Sequence, residues 1–307
     1  MTKIAFVFPG QGAQAVGMGK DVYEALPQSR AVFEKGDEVL GFALSRLVFE
    51  GPESELKQTV NTQPALVTAS IAYLEALRGS GITPDYVAGH SLGEYSALVA
   101  AGVLAYEDAV RLVRLRGQFM EEAVPGGQGA MAAMLGADRA ALSELCRSIS
   151  AAGHAVELAN VNCPGQIVVS GTAAGVAEAS ERVKEAGGKR AIPLEVSGPF
   201  HSSLMKGAAE RLAAELQKVQ LNTPLVPVIA NVTAAPVTDP EVIRSLLVEQ
   251  VYSPVLWQDS VEWLIAEGVD TFVEIGSGSV LSGLIRKIDR NVKVVTVNSL
   301  ESAGSGL

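Results

Sequence analysis

Cysteine is nearly absent: Cys146 and Cys163 are the only two among 307 residues. No disulfide framework is therefore needed, and a reducing compartment fits. Histidine is scarce too, with only His90, His154 and His201, and no Cys/His or H-E-x-x-H spacing points to a metal site. Basic residues are outnumbered 34 to 24, a net charge of −10, which argues against nucleic acid as a primary partner because phosphate binding needs a basic footprint. No stretch approaches the ~18 consecutive apolar residues of a membrane span, and the apolar run Ile4–Phe8 is too short for a signal peptide. The expectation is a cytoplasmic protein without membrane attachment. What remains, 48% hydrophobic and 19% charged, is the composition of a compact globular chain long enough for one large domain or two.

Short β-branched runs alternate with longer helical patterns, predicting an α/β fold with a largely parallel sheet. The strands expected are Ile4–Phe8, Tyr86–Ala88, Leu225–Ala230, Thr271–Ile275 and Val292–Val297. Pro64 suits the first turn of a helix running to about Leu77. The tail Ser302–Leu307 reads as frayed. The middle of the chain reads differently: strand Ala130–Leu135, helix Arg139–Ser148, strands Ala155–Ala159 and Gln166–Ser170, helix Ala173–Ala186, strand Arg190–Val196. That order, βαββαβ, is the ferredoxin-like unit. It predicts a small subdomain at 128–197 inserted into a larger α/β domain made of 1–127 and 198–307.

Gly89-His90-Ser91-Leu92-Gly93 lies between the run Tyr86–Ala88 and a helical run from Glu94. A sharp strand-to-helix turn needs glycines for clearance and pushes a serine hydroxyl outward, above free helix N–H groups. Ser91 is thus a candidate nucleophile and needs a base. His90 adjoins it in sequence and should point elsewhere, and His154 opens a strand as a surface histidine would. His201 follows a Gly-Pro turn where the chain re-enters the large domain, and is the favoured base. The helix start after it should disfavour the imidazolium.

Arg116 shares its helical face with Leu112, Val113, Phe119 and Met120, all apolar. Such an arginine either makes an internal ion pair or clamps a substrate carboxylate, and spacing alone leaves both open. The loop Pro9–Ala15 superficially fits a dinucleotide fingerprint but lacks the second strand with an acidic ribose ligand. A phosphate loop around Gly19-Lys20 is excluded by Gln14 and Asp21 at its required positions. A glycine-lined loop at a strand end can instead lend a backbone N–H to an oxyanion hole, with Leu92 N–H as the second donor. Cys163, beside Pro164, reads as a packed thiol.

Together these segments resemble the malonyl-CoA:acyl carrier protein transacylase family of bacterial type II fatty acid synthesis. The matching pieces run in order along nearly the whole chain: Phe8-Pro9-Gly10-Gln11-Gly12, Gln63-Pro64-Ala65, Gly89–Glu94, Arg116-Gly117, Gly198-Pro199-Phe200-His201-Ser202, and Gln250-Val251 with Pro254-Val255-x-Trp257. The stretch Gly276-Ser277-Gly278-Ser279 departs from the family, which often has proline after the first glycine. The resemblance implies that Ser91 is acylated, that His201 is its base, and that the main-chain carbonyl of Gln250 orients the imidazole without a catalytic aspartate. It implies backbone N–H groups of Gln11 and Leu92 as the oxyanion hole, Arg116 as the holder of the malonyl carboxylate, and Phe200 as the bulk that disfavours a branched acyl unit. Malonyl-CoA and holo acyl carrier protein are the implied substrates, and no cofactor beyond these acyl carriers is implied. The carrier is acidic in this family, so Lys184 with Lys189-Arg190, and Arg286-Lys287 with Arg290, are candidate contacts. An esterase of the hydrolase class would carry a late histidine, yet none follows His201.

Overall fold

A computed structural model describes residues 2–305. Among these residues ten strands occur in chain order: β1 (Lys3–Phe8), β2 (Tyr86–Gly89), β3 (Gly129–Leu135), β4 (Val156–Cys163), β5 (Gln166–Thr172), β6 (Arg190–Pro193), β7 (Val228–Ala230), β8 (Ala235–Val237), β9 (Val269–Ile275) and β10 (Lys293–Val297). The large sheet has the order β10-β9-β1-β2-β7-β8 and is parallel except for β8. The small sheet, β4-β5-β3-β6, is antiparallel, with the strand order of a ferredoxin-like unit.

Strand β1 shows why the large sheet is covered on both faces. With a side-chain period of two, Phe6 and Phe8 enter the main core while Ala5 and Val7 enter a second core with Trp257 and Phe272. The small sheet packs one face on its own two helices through Met134, Leu142, Val169 and Val176. Met131, Ala133, Ala159 and Val168 on its other face join the main core. Two hydrogen bonds stitch the sheets' surroundings together: Val161 N–H donates to Val255 O at 2.9 Å, and Val255 N–H to Ala159 O at 2.8 Å.

Several boundaries differ from expectation for physical reasons. The Pro64 helix spans Thr59–Leu77, so the proline lies inside it. Pro64 leaves Val60 O without its helical donor, and Arg114 Nη1 approaches that carbonyl at 3.4 Å. The helix can start early because Glu121, from a neighbouring helix, accepts from Thr59 N–H at 2.7 Å. The strand expected from Leu225 begins only at Val228, since Pro227 offers no donor to the ladder. Strand β6 stops at Pro193 because the chain turns just beyond it, Val196 N–H donating back to Leu194 O at 3.1 Å. The helix from Ala173 breaks after Glu181 and continues as a 3-10 turn, Val183–Ala186. Strand β4 runs on to Cys163 because register shifts after Leu158 and Val161 keep its polar end paired with β5. At the C-terminus, Ser299 caps a short helix, Leu300–Gly304, where a frayed tail was expected; Gly306 and Leu307 lie outside the described residues. No helix among the described residues is long and apolar enough to cross a membrane.

Candidate active site

The C-terminal ends of β1, β2 and β7 converge on one cleft, the usual place for chemistry on an open parallel sheet. Pro9–Gly12 leaves β1, His90-Ser91 leaves β2, and Asn231 follows β7. The turn at Ser91 is tight enough to hold that residue at φ 51°, a left-handed conformation rare outside glycine. A Cβ on Gly93 would lie 2.1 Å from Phe8 O, and one on Gly89 would lie 1.9 Å from Gly93 C. The elbow is therefore wedged against β1 with no room for another side chain. Gly93→Ala is expected to cost about 3 kcal/mol or more and to lower the thermal midpoint by about 5–10 °C. An unchanged midpoint in calorimetry would refute that steric argument.

Asn231 braces the strained turn from both ends. Its Nδ2 donates to Gly89 O at 2.6 Å, and its Oδ1 accepts from Ser91 N–H at 2.7 Å. It lies 140 residues from the serine, and sequence reasoning missed it. The only signal was an asparagine just past an apolar run at a strand end.

Ser91 Oγ lies 2.8 Å from His201 Nε2, and His201 Nδ1 lies 2.8 Å from Gln250 O. A carbonyl can only accept, so Nδ1 carries the ring proton and Nε2 accepts from the serine hydroxyl. His201 itself sits at φ 58° and is buried. Its loop is pinned from the small subdomain, where Glu157 accepts from Ser203 N–H at 2.7 Å. Burial first, and the Arg116 charge second, push the imidazole down to about 3. The expected helix start is not the main cause, because a 3-10 turn, Ser203–Met205, intervenes before the helix Lys206–Leu216.

Arg116 is 1% exposed, and its hydrogen-bond partners are neutral oxygens. Nη1 donates to Gln63 Oε1 at 2.8 Å, and Nη2 to Gln250 Oε1 at 3.0 Å and to Ser91 Oγ at 3.2 Å. Nε is buried without a partner. The Tyr95 ring lies 5.7 Å from the guanidinium carbon. Among the described residues no carboxylate pairs with it directly, so the internal ion pair held open by its spacing is not what the structure contains. Its charge lies beside the serine hydroxyl, ready for an anion.

Gln11 and Leu92 flank the same space, and among the described residues neither backbone N–H donates to a protein acceptor. Gln11 is anchored by its side chain, Nε2 donating to Thr59 Oγ1 at 3.1 Å. A cavity of about 110 Å³ joins Gln11, Ser91, Arg116, Met120, Phe200 and His201. It shares Gln11, His90, Asn160 and Leu194 with a longer groove of about 300 Å³ between the two sheets. His90 points into that groove, its Nε2 2.7 Å from Asn162 Oδ1. His154 is remote, paired with Glu178 at 3.2 Å on the surface. Both cysteines are buried free thiols whose ionisation burial pushes up.

Residues 5–304 match the family model described as "Acyl transferase domain". The chain is similar, at 57% identity over 302 residues (98% of this chain and 95% of the relative), to the malonyl CoA-acyl carrier protein transacylase of Bacillus subtilis. An acyl carrier protein S-malonyltransferase of Vibrio cholerae superposes with a TM-score of 0.95 at 46% identity, covering 98% of each chain. A malonyl-transacylase solved in complex with its type II PKS acyl-carrier protein gives the same TM-score at 44% identity, again over 98% of each chain.

Proposed function

The chain belongs to the acyl transferase family and, within it, to the malonyl CoA-acyl carrier protein transacylases; from that premise we propose how its residues carry the reaction. The enzyme transfers the malonyl group from malonyl-CoA to the phosphopantetheine thiol of acyl carrier protein. The observation that carries the mechanism is the line of contacts Arg116–Ser91–His201–Gln250 O, in which one hydroxyl meets both a buried cation and a base.

Malonyl-CoA enters with its free carboxylate on Arg116. Ser91 Oγ attacks the thioester carbonyl while its proton passes to His201 Nε2, and Gln250 O steadies the opposite N–H. The N–H groups of Gln11 and Leu92 receive the charge that develops on the carbonyl oxygen. Coenzyme A departs as a thiol with the proton returned by His201, leaving a malonyl ester on Ser91. The carrier's thiol then reverses these steps. A carboxylate on Arg116 offsets the second cause of the histidine's acidity, so the ring gains basicity when a charged acyl group arrives. Phe200, buried against the cavity, is the bulk that would disfavour a branch beside the acyl chain.

The longer groove suits the carriers' pantetheine arm. Its outer end lies near Gln166, which Lys287 Nζ contacts at 3.3 Å. Arg190 pairs with Leu135, the residue that also faces Gln166 across β3. Arg190 and Lys287 are exposed on the two sides of that mouth and would meet an acidic carrier. Lys184, Lys189, Arg286 and Arg290 are exposed as well. On this reading residues 128–197 act as the subdomain closing one side of the groove, over a large domain of 1–127 and 198–307. Free thiols on both carriers require a reducing compartment, which the cytoplasm provides.

Intact-mass spectrometry after mixing with malonyl-CoA tests the scheme. We expect a malonyl adduct on the wild-type enzyme, its loss on adding holo carrier protein, and no adduct on Ser91→Ala. Double-reciprocal plots should be parallel, as ping-pong transfer requires. Rapid hydrolysis of malonyl-CoA without stimulation by carrier would overturn transfer in favour of a hydrolase.

A further inference from the structure

Glu94 is a buried carboxylate that the transfer steps do not use. It sits in the first turn of the helix Gly93–Ala100, three residues after the nucleophile and 3% exposed. Its Oε2 accepts from Gln250 Nε2 at 2.7 Å and from Asn231 N–H at 3.2 Å. The Gln250 amide therefore stands between this carboxylate and the guanidinium of Arg116, which donates to Gln250 Oε1 at 3.0 Å.

The direction of that amide is not free. Gln250 Nε2 faces three oxygens: Glu94 Oε2, Ser91 O at 3.0 Å and Asn231 Oδ1 at 3.3 Å. Turned by half a revolution, the amide would set its oxygen against those three and its NH2 against the guanidinium. Each of these contacts would then be repulsive or empty. An ionised carboxylate can only accept, so Glu94, through the shortest of the three contacts, joins Ser91 O and Asn231 Oδ1 in imposing the observed direction, where a neutral amide at the same place could offer either end.

We infer that Glu94 is a positioning residue for acyl selectivity: by fixing which end of the Gln250 amide meets Arg116, it aims the guanidinium at the carboxylate of the malonyl group. The inference rests on the transfer reading above. Gln250 links the two halves of the site, since its carbonyl holds His201 and its side chain holds Arg116.

The groups packed around Glu94 leave its protonation state as the variable. Arg116, from the helix Tyr106–Glu122, is the one charged group acting on it, while Gln250 and Asn231 are neutral. Tyr95, beside it, is pushed up to about 12 by burial and stays a phenol. His201, on the far side of Arg116, is neutral through the working range. Burial outweighs the two hydrogen bonds and the Arg116 charge and pushes Glu94 up to about 7. Below that pH the carboxyl becomes neutral and can donate as well as accept, so its hold on the amide's direction weakens.

The test is single-turnover acylation of the intact enzyme by malonyl-CoA and acetyl-CoA between pH 5.5 and 8.5, for wild type, E94Q and E94A. We expect the wild-type malonyl-to-acetyl rate ratio to fall by about tenfold as pH drops through about 7, levelling at the value of the neutral carboxyl. E94Q keeps the shape but not the direction, so its ratio at pH 8 should be about tenfold lower and flat with pH. E94A should lose about a hundredfold, with the KM for malonyl-CoA changed less than about threefold. A wild-type ratio and pH dependence in E94Q would overturn the proposal, and so would equal slowing of both acyl groups, the mark of a merely structural role. Should E94A fail to fold, the isosteric E94Q decides alone. Failure of the wild-type enzyme to take malonyl at any pH would strike the transfer reading instead.

Discussion

Arg116→Ala is expected to lower kcat/KM for malonyl-CoA by about a thousandfold while changing that for acetyl-CoA less than about tenfold. The argument is electrostatic. A guanidinium 1% exposed, with only neutral oxygens as hydrogen-bond partners and a bare Nε, is an incompletely compensated cation held at a cost. A carboxylate meeting it in a desolvated cavity gains a charge-assisted pair, and removing one partner of such a pair costs about 3–5 kcal/mol. Acetyl carries no charge and forgoes nothing. Arg116→Lys should recover only part of the loss, because an ammonium lacks the planar fork that reaches Gln63, Gln250 and the substrate together. Steady-state kinetics with both thioesters checks this. Equal losses for the two would mean that Arg116 supports the serine alone, through its 3.2 Å contact with Oγ.

His201→Ala is expected to slow acylation of Ser91 by about ten-thousandfold, read as the rate at which the adduct mass appears. The ring is already a neutral acceptor at 2.8 Å from the hydroxyl, so no protonation step precedes attack. The same substitution should alter stability with a defined sign. The imidazole falls from 6.5 to about 3 on folding, so the native state binds fewer protons than the unfolded chain between those values. Its contribution is present above pH 6.5 and is lost as pH falls toward 3, up to about 5 kcal/mol. Glu94 works the other way: raised from 4.5 to about 7, it contributes stability present below pH 4.5 and lost as pH rises through 7. The two oppose each other between pH 4.5 and 6.5. Removing His201 should therefore leave a protein whose denaturant midpoint falls less steeply on acidification through that window, since His90, which burial also holds down, keeps part of the slope. A midpoint that still falls as steeply as in wild type would contradict the assigned burial of the ring.

The nucleophile was legible in the chain because its geometry is local. A strand, a glycine-flanked serine and a helix within a dozen residues dictate the turn, and the clashes at Gly89 and Gly93 show why no other residues serve. The short β-branched runs alternating with helical patterns and the βαββαβ order were equally local, and they announced the parallel sheet and the antiparallel one. Strand ends were less legible where a proline, a turn or a bulge ended the ladder, as at Pro227, after Pro193 and at the end of β4. Arg116 was visible as a charge on an apolar face, but its pattern allowed an ion pair as readily as a clamp.

The decision between those two belonged to the tertiary structure. Gln63 and Gln250, 53 and 134 residues from Arg116, supply amide oxygens where a carboxylate would have neutralised it. Asn231 and Glu94 were silent for the same reason, since an asparagine or glutamate reads as polar until burial and a distant partner give it a task. Likewise the neutrality of His201 comes from burial and from Arg116, not from the helix that follows it in sequence. The sequence by itself determined what the backbone does over short distances, where sterics and periodicity act. Only the folded chain decided which charges are paired, which are left bare and which way an amide faces, because those depend on groups that meet only when the sheet closes over them.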